Sequence, residues 1–288
     1  MDYLLLIIAS ALFGGMFIFQ QMYTRSEGSL LRAALLFSFL STFMRVPISF
    51  ILYGFDYSFQ PIGLLYALGY AAVGLGTVYF SAKAFDVTNM ALYSVFMMLG
   101  GMMLPFVTGI AFYAEPFTLG KALCCILVLA AMIAGMTPGG KKSSVKGILY
   151  CLGVFVMNGF SGVFAKINEA SEYGLDNGSL FLGSALITLL ISGISVLLLQ
   201  KREGGKLLQR PGKAVAASIG YGIGSGAGNL LLLVALGHGL PASVQYPLTT
   251  GCTMVFSALF GLCMGERLNR RTVLSVLLAV AASIVVVF

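Results

Sequence analysis

Ten mostly apolar stretches follow one another along this chain, with only short connections between them. A helix needs about 20 apolar residues to cross a bilayer. Charged residues make up 9% of the 288 residues, against about 25% in soluble domains. The sequence therefore predicts an all-α membrane protein with ten transmembrane helices. The predicted helices lie near residues 3–23, 29–53, 61–82, 88–112, 119–136, 146–166, 179–199, 213–236, 241–263 and 270–288.

The basic residues are distributed unevenly among the connections. All of the 17 Lys and Arg except Arg45, Lys121 and Lys166 lie in or beside the connections after spans one, three, five, seven and nine. Basic residues in short loops mark the cytoplasmic side, so we predict a multi-pass plasma-membrane protein with both termini outside. The net charge of +7 follows from this bias. It favours contact with anionic membrane lipid rather than with nucleic acid.

Two segments separated by a little over half the chain share one plan. Residues 84–117 align without gaps on residues 235–268, so that Gly100 meets Gly251 and Glu115 meets Glu266. Each segment has a small-residue approach, a long apolar span and a lone Glu at its end. Two similar halves in a membrane chain are typical of a transporter.

The halves have a clear boundary in the sequence. We predict a first repeat at 1–137, a cytoplasmic linker at 138–145 that contains Lys141 and Lys142, and a second repeat at 146–288. Because five helices is an odd number, the second repeat enters the membrane from the opposite side. The two repeats are therefore predicted to be inverted.

The end of each half resembles a motif of the ten-helix branch of the drug/metabolite transporter superfamily, the EamA-like carriers. In the second half the motif runs from Pro241-Ala242 to Gly265-Glu266-Arg267-Leu268, and in the first half it is looser, at Ala114-Glu115-Pro116-Phe117. The resemblance implies a secondary carrier whose central cavity is lined by spans one to four and six to nine, with spans five and ten packed outside.

The chain departs from the family pattern in the two spans that carry this motif. Family members often have a Pro about thirteen residues before the closing Glu, where this chain has Met102 and Thr253. Pro105 and Pro247 are displaced from that position, so the kinks of spans four and nine are expected to differ.

Arg45 is the leading candidate for substrate binding. It is the one Lys or Arg deep inside a predicted span, away from both of its ends, and a charged side chain at membrane depth is costly and usually functional. Its guanidinium is expected to bind a carboxylate or another acceptor on the substrate. The alternative is that Arg45 extends to the outer interface and leaves only its stem in the apolar region.

Two amides are further candidates. Asn158 lies in the middle of span six and Asn229 follows the glycine run 220–228 of span eight. An unpaired amide in hydrocarbon is costly, so each is expected either to bond a neighbouring helix or to face the cavity. The glycine run is expected to allow close helix packing, to let the helix bend or slide during transport, or both.

Spans three, four and nine supply aromatic and polar candidates. Tyr79, Tyr93 and Tyr246 offer a ring face and a hydroxyl, which suit small polar or cationic ligands, although Tyr near span ends is often an interface anchor. Met97 and Gln245 complete the predicted set of substrate-binding residues.

The acidic residues are expected to have structural roles. Glu115 and Glu266 lie near span ends, where we expect pairing with Lys121 or Arg270. No Asp or Glu lies in the middle of a predicted span. This counts against proton-coupled export of cations through a buried carboxylate.

These features favour a secondary transporter that moves a small polar metabolite, an amino acid or similar zwitterion, by alternating access. A carrier of choline or another quaternary ammonium remains an alternative, with the tyrosines as the binding cage. A membrane enzyme or lipid-handling protein is a further alternative, but the sequence shows no Ser/His/Asp set, no acidic pair and no metal cluster. We expect no cofactor and no metal, and the sequence leaves a monomer and a homodimer open.

Overall fold

The structure, a computed structural model, describes residues 2–113, 118–136, 145–238 and 242–285. Within these ranges the chain forms α-helices and no strand. The helices are α1 (Asp2–Glu27), α2 (Leu31–Tyr53), α3 (Pro61–Val87), α4 (Met90–Phe112), α5 (Leu119–Met136), α6 (Val145–Ala170), α7 (Asn177–Glu203), α8 (Pro211–Gly237), α9 (Ala242–Cys263) and α10 (Arg270–Val285). The predicted linker 138–145 lies outside the described residues except for Val145, where α6 begins.

Seven of the described helices, α1 to α4 and α6 to α8, are long and apolar enough to cross a membrane. The apolar parts of α5 and α9 are shorter, at Leu119–Ala134 and Pro247–Cys263. The described residues therefore form an all-helical multi-pass membrane protein with ten helices, as predicted. That all ten cross the membrane stays a prediction. The largest difference in position is at the end of α3, which continues to Val87 rather than 82.

The helix ends follow from local sequence. Pro61 and Pro211 begin α3 and α8, where the missing N–H of proline costs no helical hydrogen bond. Asn89 caps α4 by accepting the Leu92 N–H at 2.8 Å, as short polar side chains do at this position. Gly204 ends α7 with φ 66°, a conformation that glycine adopts without steric cost.

Helices of the two halves pack in equivalent pairs. In one set of contacts, α1 packs on α8, α2 packs on α8, and α1 packs on α9. The corresponding contacts in the other set are α6 on α3, α7 on α3, and α6 on α4. Each pair becomes its counterpart when every helix is exchanged with the one five places along the chain. α5 and α10 pack mainly against each other and against α4 and α9, so they lie beside the other eight helices rather than among them.

The pairing is not symmetrical at both ends of the bundle. α1, α3, α7 and α9 end together at one end, which we call the basic end because Arg25, Arg32, Lys83, Lys201 and Arg267 lie there. α1 also contacts α3 and α4, whereas its counterpart α6 makes no comparable contact with α8 or α9 within the described residues. The contacts of Tyr93 with Phe17 and Gln20 join α4 to α1 near the basic end.

Candidate functional site

α2 has a polar face that is turned into the protein. Ser38, Thr42 and Ser49 are 3%, 2% and 0% exposed, whereas Phe43 and Ile51 on the opposite side are 58% and 73% exposed. Spacings of three and four residues place side chains on one face of a helix. Arg45, three residues after Thr42 and four before Ser49, therefore lies on the same face, and it is half-buried.

The guanidinium of Arg45 has no partner among the described residues. Its Nε is buried without a hydrogen bond, and the described ion pairs involve only Arg25 and Arg32. Arg45 lies eight residues before Tyr53, the last residue of α2, which is about 12 Å of helical rise. Arg45 as a whole is half-buried, so the binding role and the alternative in which the side chain reaches the outer interface both stay predictions. The buried Nε has an unused hydrogen-bond donor, and an acceptor on a ligand would satisfy it.

α7 repeats the polar pattern of α2. Ser184, Thr188 and Ser195 follow the same spacing as Ser38, Thr42 and Ser49, at one constant offset. Ser184 is 6% exposed, whereas Thr188 and Ser195 are half-buried. Ile191 stands where α2 has Arg45. The two equivalent helices thus present similar hydroxyls, but only α2 presents a charge.

The glycines of α8 hold α2 at close range on both sides of Arg45. A Cβ at Gly222 would lie 2.7 Å from Met44 Cβ, and one at Gly226 would lie 2.5 Å from Ile48 Cδ1. The alternate glycines Gly220, Gly224 and Gly228 meet α1 instead. This confirms the close packing predicted for the run, whereas bending or sliding of α8 stays a prediction.

The two candidate amides are hydrogen-bonded within the protein. Asn158 Nδ2 donates to the Met97 carbonyl at 2.7 Å and so joins α6 to α4. Asn229 Nδ2 donates to the Ser225 carbonyl of its own helix at 2.8 Å. Both bonds satisfy amide hydrogens that would otherwise be costly in an apolar setting. In this conformation, each side-chain amide therefore already uses one of its N–H groups within the protein.

Tyr93 is enclosed near the basic end. Its ring packs edge-on to Phe17 at 5.3 Å and tilted on Phe85 at 4.2 Å between centroids. Its hydroxyl lies 2.8 Å from Ser81 Oγ, 3.3 Å from Gln20 Oε1 and 2.9 Å from the sulfur of Met97. Tyr93 and Met97 thus belong to one internal cluster, and neither side of the Tyr93 ring is open to a quaternary ammonium.

The remaining candidates are separate from Arg45 or outside the description. The Tyr79 ring lies edge-on to Phe80, with Lys83 Nζ 5.9 Å from its centroid. The side chains of Gln245 and Tyr246 lie outside the described residues. The sequence-predicted residues are therefore not brought together into one group by the contacts that the structure describes.

Glu266 joins three segments at the basic end. Its carboxylate accepts the Gln21 side-chain amide at 2.5 Å and the Met90 N–H at 2.8 Å, and it lies 3.6 Å from Arg25. The partner predicted from the sequence, Arg270, is wrong, because Arg25 of α1 reaches the carboxylate across the bundle. Glu115 lies outside the described residues.

Sequence reasoning missed a second acidic contact at the basic end. Glu27 is 7% exposed, and its carboxylate accepts the backbone N–H groups of Gln209 and Arg210 at 2.6 and 2.7 Å. These groups precede α8, where a negative charge is favourable near the helix N-terminus. No spacing in the sequence indicates a contact between positions so far apart, although Glu at the end of an apolar span is itself a signal.

A small cavity lies at the basic end of the bundle. It lies between α1, α2 and α3, has room for about 10 Å³ of water-sized volume, and is lined in part by Gln20, Tyr23, Phe37 and Val78. Metabolite pockets usually occupy about 300–1,000 Å³. The cavity is therefore too small to be the substrate site in this conformation.

Among the described residues, no group of three His, Cys, Asp or Glu could hold a metal ion. No protein-family model matches the chain, and no curated protein matches it. A solved crystal structure of another protein is 13% identical to the chain, with a TM-score of 0.61. The similarity covers 99% of this chain and 96% of the other. At this identity the likeness shows the fold alone.

Proposed function

We propose that this protein is a secondary carrier that moves a small polar metabolite, an amino acid or similar zwitterion, across the plasma membrane by alternating access. The observation that carries the proposal is the buried, unpartnered Nε of Arg45 on the inward face of α2. Guanidinium binds a carboxylate through two parallel hydrogen bonds. We assign Arg45 to the acidic end of the substrate and the hydroxyls of α2 and α7 to its other polar groups.

The packing of the helices supports a carrier that works by alternating access. Alternating access needs two similar halves that close a central site first at one end and then at the other. The equivalent helix pairs provide the similar halves, and α1 adds contacts with α3 and α4 that its counterpart α6 does not repeat with α8 and α9 within the described residues. We interpret the structure as one of the two states, with the small cavity beside Gln20 and Tyr23 as the remainder of the closed path.

The membrane arrangement belongs to the same proposal. We propose that the halves are inverted repeats, that the basic end faces the cytoplasm, and that both termini are outside. The distribution of Lys and Arg supports this orientation. The resemblance to EamA-like carriers of the drug/metabolite transporter superfamily supports the assignment to a carrier class.

Ligand binding by the purified protein tests the proposal. A ligand that binds only the native state raises its melting temperature by mass action, so a thermal-shift screen of metabolites should find stabilising carboxylates. Arg45→Gln should abolish that stabilisation, whereas Lys213→Gln, which removes an exposed basic-end charge, should leave it unchanged. Hits that bind the Arg45→Gln protein as well as the wild type would contradict the assignment.

Transport itself is tested with the same variants in liposomes. Counterflow of a radiolabelled hit should be saturable in wild-type vesicles and in Lys213→Gln vesicles, and absent in Arg45→Gln vesicles. Binding without any counterflow would contradict the carrier function while leaving the binding site intact.

A further inference from the structure

The helices that pack on α1 and on α6 form two groups. α1 packs on α8 and α9, and α6 packs on α3 and α4. We call the first group the α1 unit and the second the α6 unit. Each unit contains helices of both halves, and each becomes the other when every helix is exchanged with the one five places along the chain. A carrier that alternates between two states has to separate such units at one end at a time.

Glu266 connects the two units at the basic end. It follows α9 of the α1 unit, and its carboxylate is contacted by Gln21 and Arg25 of α1. The carboxylate also accepts the N–H of Met90 at 2.8 Å, the first residue of α4 in the α6 unit. That N–H has no partner within its own helix, and a negative charge near a helix N-terminus is favourable. The carboxylate therefore joins α4 to helices of the other unit.

The turn after α9 brings the carboxylate to α4. Gly265 has φ 80°, a conformation that favours glycine, and the Glu266 N–H next to it bonds the Gly261 carbonyl at 2.9 Å. A Cβ at Gly261 would lie 2.9 Å from Glu266 Oε2, the oxygen that accepts the Met90 N–H. The Glu266 side chain is 9% exposed. Its position is therefore set by the local backbone as well as by its partners.

Further contacts join the units close to Glu266. The Tyr93 hydroxyl of α4 lies 3.3 Å from Gln20 Oε1 of α1. The Ser257 hydroxyl of α9 donates to Ser94 Oγ of α4. These bonds are between neutral groups, whereas Glu266 provides a charged acceptor, and hydrogen bonds to charged groups contribute more to stability. Glu266 is therefore expected to hold the units together more strongly than these contacts do.

Resting on the proposed function, we propose that Glu266 is the main contact of a gate at the basic end. While its carboxylate holds the N-terminus of α4, the α1 unit and the α6 unit stay together there. When the Met90 N–H is released, the two units separate and the path between them opens at this end. The carboxylate thus sets how often the basic end opens, and it is distinct from the residues assigned to the substrate.

Labelling of a thiol between the units measures how often the basic end opens. Ala82 of α3 is 6% exposed and lines the small cavity between α1, α2 and α3, so Ala82→Cys places a small reporter there. The partly or fully exposed Cys125, Cys252 and Cys263 are replaced by Ser, and the same background without Ala82→Cys gives the rate to subtract. The initial rate of labelling of the purified protein by a membrane-impermeant maleimide is then measured.

Glu266→Gln removes the charge and keeps the size of the side chain. It should raise the labelling rate about tenfold, as expected for the loss of a hydrogen bond to a charged group. Two variants at the same end are controls. Glu27→Gln changes a carboxylate that joins α1 to the chain before α8, within the α1 unit, and Glu203→Gln removes an exposed charge beside Arg32. Both should leave the rate at the wild-type value.

The outcomes decide the inference without any ligand. An unchanged rate in Glu266→Gln would overturn it, and so would an equal rise in Glu27→Gln, which would show general loosening of the bundle. If Glu266→Gln does not fold, Gly261→Ala decides instead. It keeps the carboxylate but places a Cβ 2.9 Å from Oε2, so the rate should rise, and an unchanged rate would overturn the inference. Absence of counterflow in the wild type would contradict the carrier proposal, whereas a raised Glu266→Gln rate would still support the gate.

Discussion

Replacing Gly222 by Ala tests whether the close contact of α8 with α2 positions the Arg45 face. The new Cβ would lie 2.7 Å from Met44 Cβ and 3.0 Å from the Ser41 carbonyl oxygen. Non-bonded carbons pack at about 3.5–4.0 Å. The Ser41 carbonyl is part of the α2 backbone, and the Met44 Cβ is bonded directly to that backbone. Neither atom can therefore move aside as the end of a flexible side chain would. The helices must separate by roughly 1 Å to restore normal contact.

Two opposing effects set the size of the change in stability. Overpacking of this kind costs about 1–3 kcal/mol, whereas Ala in place of Gly favours a helix by about 0.5–1 kcal/mol. Gly74 on α3 provides a matched control, because a Cβ there would meet nothing within 4 Å. Gly74→Ala therefore receives only the favourable effect. The difference in unfolding free energy between the two variants should be about 1–3 kcal/mol, which is the overpacking contribution alone.

The assay is unfolding of each purified variant in mixed micelles by titration with SDS, followed by helical circular dichroism. We expect the Gly222→Ala midpoint to fall below that of Gly74→Ala. Because Met44 adjoins Arg45, Gly222→Ala should also weaken ligand binding, whereas Gly74→Ala should not. Equal midpoints for the two variants, or weaker binding in Gly74→Ala alone, would refute the view that this glycine contact positions the site.

Three further predictions concern the ends of the helices and the Tyr93 cluster. Burial raises the pKa of Asp176, but its hydrogen bonds with Ser179 and other groups outweigh burial and hold the pKa below its ordinary value. Its stabilising contribution is present above the unfolded-state pKa and is lost as pH falls through the folded one. Asp176→Asn keeps a side chain that can cap α7 but removes the group that titrates. The unfolding midpoint of this variant should therefore depend less on pH in the acid range than that of the wild type, and an unchanged dependence would contradict the prediction. Tyr93→Phe removes a buried hydroxyl from its partners and should lower the unfolding free energy by about 1–2 kcal/mol in the SDS titration, and a wild-type midpoint would show that the hydroxyl contributes nothing. Glu27→Gln replaces the charged acceptor of two backbone N–H groups before α8 by a neutral one. The free energy of unfolding in the SDS titration should fall by about 1–2 kcal/mol, and a wild-type value would contradict this prediction.

The helices were predictable because lipid leaves a chain few choices. Every backbone polar group must be satisfied within the membrane, so apolar length indicates a helix even where propensity does not. Pro47 shows this well: it lies inside α2, yet the apolar pattern around it correctly predicts one continuous span.

The site was predictable only in part. Arg45 stands out in the sequence because it is the one basic residue deep inside a span, away from both ends, whereas its polar neighbours Ser38 and Thr42 were missed. The signal was present, since Ser184 and Thr188 repeat their spacing, but hydroxyls are common in membrane helices and become informative only when burial shows which face they share.

The contacts of Glu266 could not be predicted. Its partners Gln21 and Met90 are 245 and 176 residues away, and proximity in the sequence suggested Arg270 instead. Which helices meet at one end of a bundle depends on tertiary packing, so the sequence supplied the residue type but not its partner.

Accessibility of the inward face of α2 from both sides of the membrane tests the central claim most directly. Thr42 is 2% exposed and lies one turn from Arg45, so Thr42→Cys places a thiol of similar size on that face, in a background with the exposed Cys263 replaced by Ser. In oriented liposomes, a membrane-impermeant maleimide should label this thiol from each side in turn, and a bound carboxylate should shift the ratio between the two sides. Labelling from one side only, with a ratio that no ligand or gradient changes, would contradict alternating access around Arg45.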